Sequence, residues 1–271
     1  IPIGKRWSLG VGYETSRVDE KEVMNAVTRD AATFRYNFLE PETVRLFGKV
    51  EYREDKDIEA DTKTEHVYLE NSLNYRMWED LDLILKGALG YAKTKPEGVD
   101  QFDFKQASLG FAYRPKQDDR MNLLGKVTHT EDLPLENRSD FLERSQQKKD
   151  VFSLDSVFDF TETIQLVGKI AYRSMSEKTG NRAWVDSETW LWVNGLNIKF
   201  FEKWRLGGEY RILDNTTFDD RKTGFLIQLG RVLSDSMILT AGYNFTSFDD
   251  NLCNRDEYDL TGFFIRIEGR Y

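Results

Sequence analysis

The sequence predicts an all-β fold, a 14-stranded antiparallel up-and-down transmembrane β-barrel in which residues 1–271 form a single domain. Three observations predict it. Apolar and polar residues alternate with a period of two along many segments, short and long connections alternate along the chain, and aromatic residues occur at both ends of the alternating segments. Only the lipid-facing half of a barrel strand must be apolar, which agrees with a mean hydropathy of −0.59.

One plan recurs along the chain: an alternating run ends in an aromatic residue, a tight polar turn follows, and a second alternating run passes through glycine to a tyrosine. Residues 74–91 and residues 197–210 are two clear copies of this plan. Counted with the polar residues that flank their apolar positions, the runs are about 9 to 12 residues long, which is the length that a tilted strand needs to cross a bilayer. The predicted strands, given by their first and last apolar positions, are Trp7–Tyr13, Phe34–Phe38, Val44–Tyr52, Val67–Tyr75, Leu81–Tyr91, Ala107–Tyr113, Met121–Val127, Phe152–Phe160, Ile164–Tyr172, Trp190–Phe200, Trp204–Ile212, Phe225–Leu229, Met237–Phe245 and Phe263–Tyr271.

The connections differ in length on the two sides of the predicted barrel. Short turns are expected near residues 40–42, 78–80, 115–120, 161–163, 201–203 and 232–236, and long charged loops at residues 16–29, 54–65, 131–149 and 247–259. Short turns are typical of the periplasmic side and long loops of the extracellular side, so both termini are expected in the periplasm. The first strand, Trp7 to Thr15, is expected to pair with the last, Thr261 to Tyr271, because an open edge in lipid leaves backbone groups unsatisfied.

Aromatic residues are expected to form two belts at the membrane interfaces, where amphipathic rings are favoured. Trp7, Trp204 and Tyr271 lie near the short turns. Six tyrosines lie at the long-loop ends of strands: Tyr13, Tyr52, Tyr91, Tyr172, Tyr210 and Tyr243. A soluble propeller or sandwich would show the same alternation of residues, but the strand lengths, the connection pattern and the two belts favour the membrane barrel.

The composition excludes several other classes of protein. With 38 basic and 47 acidic residues the net charge is −9, and the basic residues form no block, so nucleic acid is not an expected partner. The longest uncharged run, residues 236–248, is too short for a spanning helix, which needs roughly 20 apolar residues. A single cysteine, Cys253, and two histidines argue against a disulfide and against a Cys- or His-rich metal site, so neither a cofactor nor a bound metal is expected.

The end of the chain, Gly262-Phe-Phe-Ile-Arg-Ile-Glu-Gly-Arg-Tyr271, resembles the C-terminal signal strand of Gram-negative outer-membrane β-barrel proteins. The resemblance implies a location in the bacterial outer membrane, contact with outer-membrane lipid, and insertion by the barrel-assembly machinery. Gly242-Tyr-Asn-Phe245 followed by Phe248-Asp-Asp250 also resembles the end of the C-terminal barrels of large modular outer-membrane proteins.

If the apolar residues face lipid, the alternate residues face a lumen in which basic side chains outnumber acidic ones. Eight of these basic residues are expected to line the lumen: Arg35, Lys49, Lys86, Lys126, Lys169, Arg205, Arg211 and Arg266. The pattern favours a porin-like passive channel for small polar or anionic solutes. The alternatives are a lumen filled by ion pairs or a loop, and a non-conducting anchor or scaffold barrel of a larger surface protein or assembly with a periplasmic or surface protein partner.

Catalysis and metal binding have weaker support. His129 lies near the extracellular rim among Thr128, Thr130, Glu131 and Asp132, but no nucleophile motif accompanies it, so no enzyme activity is expected. Seven oxygen-bearing residues near Cys253 could ligate calcium, yet their spacing does not match an EF-hand, so a solvated loop is favoured. They are Asp249, Asp250, Asn251, Asn254, Asp256, Glu257 and Asp259.

Overall fold

The computed structural model describes residues 2–20, 25–58, 61–95, 99–133, 145–180, 182–234, 236–245 and 261–269. They form one antiparallel sheet of 15 strands in which every strand is hydrogen-bonded to the next along the chain. The strands are β1 (Pro2–Ile3), β2 (Trp7–Glu20), β3 (Asn25–Glu40), β4 (Val44–Asp57), β5 (Thr62–Trp78), β6 (Leu81–Lys95), β7 (Val99–Tyr113), β8 (Met121–Asp132), β9 (Ser145–Asp159), β10 (Ile164–Thr179), β11 (Val185–Phe200), β12 (Trp204–Asn215), β13 (Asp220–Ser234), β14 (Met237–Asn244) and β15 (Gly262–Gly269). The all-β, up-and-down architecture expected from the sequence is confirmed.

The pairing register sorts the side chains onto two faces, because directly opposed residues share a face and successive residues alternate. We call the face that carries Trp7 and Leu85 the apolar face and the face that carries Arg35 and Lys86 the charged face. One row of directly opposed residues on the apolar face crosses ten strands: Trp7, Phe38, Leu46, Leu73, Leu85, Leu109, Val127, Phe152, Tyr172 and Trp190. The row starts at the short-turn end of β2 and reaches the long-loop half of β11, which is the stagger of tilted barrel strands.

Strand β1 is an addition to the predicted set. Pro2 pairs with Ser8 and Ile3 with Trp7 after a turn in which Gly4 takes a φ of 68°, a conformation that glycine adopts without steric cost. Two residues are too few to show alternation, so this strand gave no signal in the sequence.

Most strands are longer than predicted, and they extend toward the long loops. β2 continues to Glu20 and β3 starts at Asn25, so most of the predicted loop 16–29 is paired strand. The predicted loop 54–65 is likewise mostly strand, because β4 ends at Asp57 and β5 starts at Thr62. These ends are rich in charged residues. Apolar alternation ends where the strand leaves the expected hydrocarbon layer, so the alternation places the end of the strand too early.

The predicted pairing of the first and last strands is absent from the sheet that the described residues form. There, β15 pairs only with β14, and β2 pairs with β3 and the two-residue β1. Apolar side chains at these edges are far more exposed than those at the centre, 84% for Val11 and 90% for Phe263 against 38% for Leu85 and 40% for Leu229. A side chain in mid-sheet is flanked by strands on both sides, and one at an edge is flanked on one side only.

The predicted aromatic residues that the structure describes lie on the apolar face at the expected ends of their strands. Trp7 and Trp204 are the first residues of β2 and β12, where Trp7 packs on Phe38 with ring centroids 4.8 Å apart. Near the long-loop side, Tyr172 packs on Trp190 at 4.6 Å. The six predicted tyrosines all belong to strands, and Tyr271 lies outside the described residues.

A polar side chain on the apolar face is satisfied locally. Asn71 accepts a short hydrogen bond from the hydroxyl of Tyr36. The Tyr36 ring reaches Asn71 by crossing Gly48, where an added Cβ would lie 2.0 Å from the ring. A side chain at Gly48 would therefore leave an amide without its partner on a face made of apolar residues.

Candidate functional site

All eight basic residues expected to line a lumen lie on the charged face. Arg35 is directly opposite Lys49, and Lys49 is opposite Glu70. Arg205 is opposite Lys199. The other predicted residues lie on the same face at these strands: Lys86 on β6, Lys126 on β8, Lys169 on β10, Arg211 on β12 and Arg266 on β15.

In the β4–β6 region, carboxylates neutralise the predicted lysines. Lys49 Nζ lies 2.6 Å from Glu51 on the same strand, and it also lies over the Tyr68 ring at 5.7 Å. Lys86 Nζ lies 3.0 Å from Glu70, the residue directly opposite Lys49. Two lysines and two glutamates thus form a chain of alternating charge across three strands.

Beyond the tyrosine belt, the charged face carries a cluster around Asp55, whose side chain has no exposed surface. Arg29 donates to both carboxylate oxygens, at 2.9 and 3.3 Å, while Arg53 lies at 3.4 Å and His66 at 3.8 Å. Burial alone raises the pKa of Asp55, but the hydrogen bond from Arg29 and the charges of Arg53, Arg29 and His66 outweigh it and hold that pKa below its usual value. The alternation of apolar residues does not single out this cluster, because Asp55 and Arg29 lie in segments predicted as loops.

On the opposite face at the same height, charged residues form a ladder. Glu54 lies between Lys56 and Lys63, at 3.0 and 2.7 Å, and Glu65 lies between Lys95 and Lys63, at 3.0 and 3.1 Å. Hydrogen bonds from Lys63 and Lys56 lower the pKa of Glu54, and those from Lys95 and Lys63 lower the pKa of Glu65. The ladder marks where the apolar face gives way to a surface suited to water and lipid headgroups.

Part of the charged face is apolar and closely packed. Ala171 and Leu191 are fully buried and contact Val193, and Leu213 packs against them. These residues come from β10, β11 and β12 and are neighbours in the register, so small and branched side chains fill this patch. Sequence analysis did not identify the patch, although the alternation of buried and exposed residues along β11 is regular.

Nearer the short turns, strands β10–β15 enclose a polar recess of about 400 Å³ on the charged face. A row of directly opposed residues forms its floor: Lys199, Arg205, Gly230, Thr240 and Arg266. A second row beside it includes Gln165, Asn197, Gly207 and Gln228. Glu268, whose carboxylate lies 3.0 Å from Arg266 Nε, is the one carboxylate among the described residues that line the recess. Three cations and one anion give the recess a formal charge of about +2.

His129 lies on the apolar face rather than on the charged face. Its Nδ1 is 2.7 Å from Asp150, the residue directly opposite, and its Nε2 is 3.7 Å from Glu131. Carboxylates therefore surround this histidine at the sheet surface. Cys253 and the seven oxygen-bearing residues near it lie outside the described residues. In the described part of the chain, no group of three or more His, Cys, Asp or Glu side chains is arranged to hold a metal ion.

No family model matches the sequence, and no curated protein matches it. Solved structures do. The siderophore receptor PirA from Pseudomonas aeruginosa superposes with a TM-score of 0.63 at 12% identity, over 100% of this chain and 54% of that one. The ferric enterobactin receptor PfeA from the same organism, as a double mutant, gives 0.61 at 9% identity over 92% and 45%. The ferric citrate transporter FecA, unliganded, gives 0.54 at 14% identity over 90% and 45%.

The chain has the fold of a Gram-negative outer-membrane β-barrel. By their names, these structural neighbours are a siderophore receptor, a ferric enterobactin receptor and a ferric citrate transporter. The chain spans about half the length of these neighbours, between 45% and 54%. No helix in the described ranges is long and apolar enough to cross a membrane.

Proposed function

We propose that this chain is an integral barrel of the bacterial outer membrane that acts as a passive channel for small polar or anionic solutes. The separation of the two faces is the observation that carries the proposal. The apolar face exposes large side chains over every long strand, and a surface of that extent needs lipid to cover it. The charged face carries the eight predicted cations, and charged side chains need water or counterions.

The proposal includes closure of β2–β15 into a 14-stranded barrel. β2 starts at the short-turn side and β15 ends there, so the two edges run antiparallel and can form a ladder. Pairing would satisfy backbone groups that lipid cannot satisfy. Both termini would then lie on the short-turn side, which we assign to the periplasm, and the barrel-assembly machinery would insert the chain from there.

The second candidate is a non-conducting anchor or scaffold barrel within a larger surface protein or assembly. The two exposed edges favour it, because strands from another segment or partner could pair with β2 and β15. The chain also covers only about half of each neighbouring receptor. The packed patch around Leu191 supports it as well, since it fills part of the charged face.

Electrical recording in a planar bilayer distinguishes the two candidates. The purified, refolded chain is expected to give discrete conductance steps, and a salt gradient is expected to give a reversal potential that indicates anion preference. Silence from protein whose insertion is verified by protease protection would reject the channel and leave the scaffold barrel.

A further inference from the structure

We infer that the recess on β10–β15 is a binding site for a small oxyanion, a solute that bears a phosphate or carboxylate group. The inference deepens the proposed function and rests on it in one respect, since the recess lies on the face that the proposal assigns to the lumen.

Two cationic residues of the recess are direct neighbours across a pair of strands. Lys199 and Arg205 are directly opposed on neighbouring strands, where Cβ atoms are about 4.5 to 5.5 Å apart. Like charges on directly opposed residues repel and destabilise the pair unless a counterion lies between them. Within the described residues, no carboxylate forms an ion pair with either side chain. An anion in the recess would supply that missing charge.

The second argument is the shape of the floor. Gly230 lies directly opposite Arg205 on one side and Thr240 on the other, so a position without a side chain and a small hydroxyl side chain separate Arg205 from Arg266 across the row. A Cβ at Gly230 would lie 3.2 Å from the Thr240 hydroxyl. The gap lies between cations at both ends, and the volume of about 400 Å³ is at the lower end of the range for small-molecule sites.

The third argument is the set of hydrogen-bond donors. Arg266 donates to the side-chain Oε1 of Gln228 at 3.2 Å, and the side-chain amide of Asn197 donates to the side-chain Oε1 of Gln165 at 3.2 Å. These bonds use the amide oxygens as acceptors, and they leave the Gln228 amide nitrogen beside Gly207 as a donor at the recess. The recess thus combines guanidinium and amide donors with the ammonium group of Lys199. This set suits an oxyanion, which accepts several hydrogen bonds at once.

Lys199 also borders a separate recess at the turns, which contains carboxylates, including Asp159 and Glu162. Asp159 accepts a hydrogen bond from Gln165 at 2.8 Å, so that carboxylate is already engaged by an amide. Arg205 and Arg266 line the recess on β10–β15 but not this second recess. We therefore expect Arg205 to contribute more to anion binding than Lys199.

Calorimetric titration of the full chain in detergent with inorganic phosphate, at constant ionic strength, tests the site. Saturable binding is expected, with an affinity at least about tenfold lower in the double variant Lys199→Gln and Arg205→Gln, because each loses a charge-assisted hydrogen bond. Arg231→Gln is the matched control. It lies next to Gly230 but on the apolar face, where Arg231 lies over the Trp204 ring at 5.3 Å, and it should leave binding unchanged.

A second variant tests shape without changing charge. Gly230→Val should weaken phosphate binding by filling the floor, whereas Gly208→Val, where an added Cβ meets nothing within 4 Å, should not. Absence of phosphate binding by the unaltered chain would overturn the inference. So would equal losses in the double variant and in Arg231→Gln, since that result would indicate a general surface charge effect.

Conductance recorded on the same preparations separates this inference from the channel proposal. Phosphate binding without conductance would support the recess and reject the channel. Conductance without phosphate binding would support the channel and overturn the recess.

Discussion

Two regions of the charged face carry basic residues that look equivalent in the sequence. In the β4–β6 region, Lys49 and Lys86 each lie within 3.0 Å of a glutamate. In the recess on β10–β15, Lys199 lies directly opposite Arg205 on the neighbouring strand, and no carboxylate of the described residues forms an ion pair with either of them. The period of two places a residue on a face, but the strand register decides which residue lies opposite. The charges of the first region are paired with each other, whereas the second region keeps a net positive charge, which we propose attracts an anionic solute.

The largest expected effect concerns the faces themselves, on which the comparison of the two regions depends. Leu85→Arg, on the apolar face, should cost about 2 to 4 kcal/mol of folding free energy if it lies near the bilayer centre. Lys86→Leu, one residue along on the charged face, should cost much less. Urea unfolding in lipid vesicles measures both variants. Equal tolerance of the two changes would contradict the assigned faces.

The next effect concerns buried charge at the long-loop end of β3–β5. Asp55→Asn should lower the free energy of unfolding by about 2 kcal/mol, because it weakens two charge-assisted bonds from Arg29, which itself keeps some solvent contact. Urea midpoints at neutral pH measure the change.

Acid titration of the same variant supplies the control. The pKa of Asp55 is lower in the folded chain than its usual 3.8, so its contribution to stability is present above that value. The contribution is lost as the pH falls through the folded-state pKa. The Asp55→Asn variant should therefore lose less stability between neutral and acid pH than the unaltered chain, and parallel curves would contradict the role of this carboxylate.

The smallest effect is the change in stability when one cation is removed, and it should differ in sign between the two regions. Lys86→Gln should lower the free energy of unfolding by about 0.5 kcal/mol, and the urea midpoint with it, since it breaks a partly exposed ion pair with Glu70. Arg205→Gln should leave the midpoint unchanged or raise it in phosphate-free buffer, because it relieves the repulsion from Lys199. A loss of stability in both variants would show that the two regions do not differ.

Much of the fold could be predicted from the sequence because a period of two is a strong signal when one face is entirely apolar. The row from Trp7 to Trp190 follows from that pattern together with the turns. β1 and the charged extensions of β2 and β3 could not be predicted in this way, because they carry no apolar stripe.

The sequence predicts only part of the candidate site. Alternation predicted that Arg205 and Arg266 share a face, but it could not show that Gly230 and Thr240 lie between them in one row. That juxtaposition depends on the register of three strand pairs. The lengths of the turns and the bulge near Val232 determine this register. The cluster around Asp55 was missed for a different reason, since Asp55 and Arg29 fall in segments predicted as loops, 54–65 and 16–29.

The most direct test of the central claim, that the charged face borders water and the apolar face borders lipid, is cysteine labelling on β8. Lys126→Cys and Val127→Cys are neighbours on opposite faces, and each would be made with Cys253→Ser and treated in vesicles with a membrane-impermeant maleimide. The account predicts rapid labelling at position 126 and protection at position 127. Labelling at 127 with protection at 126 would contradict it.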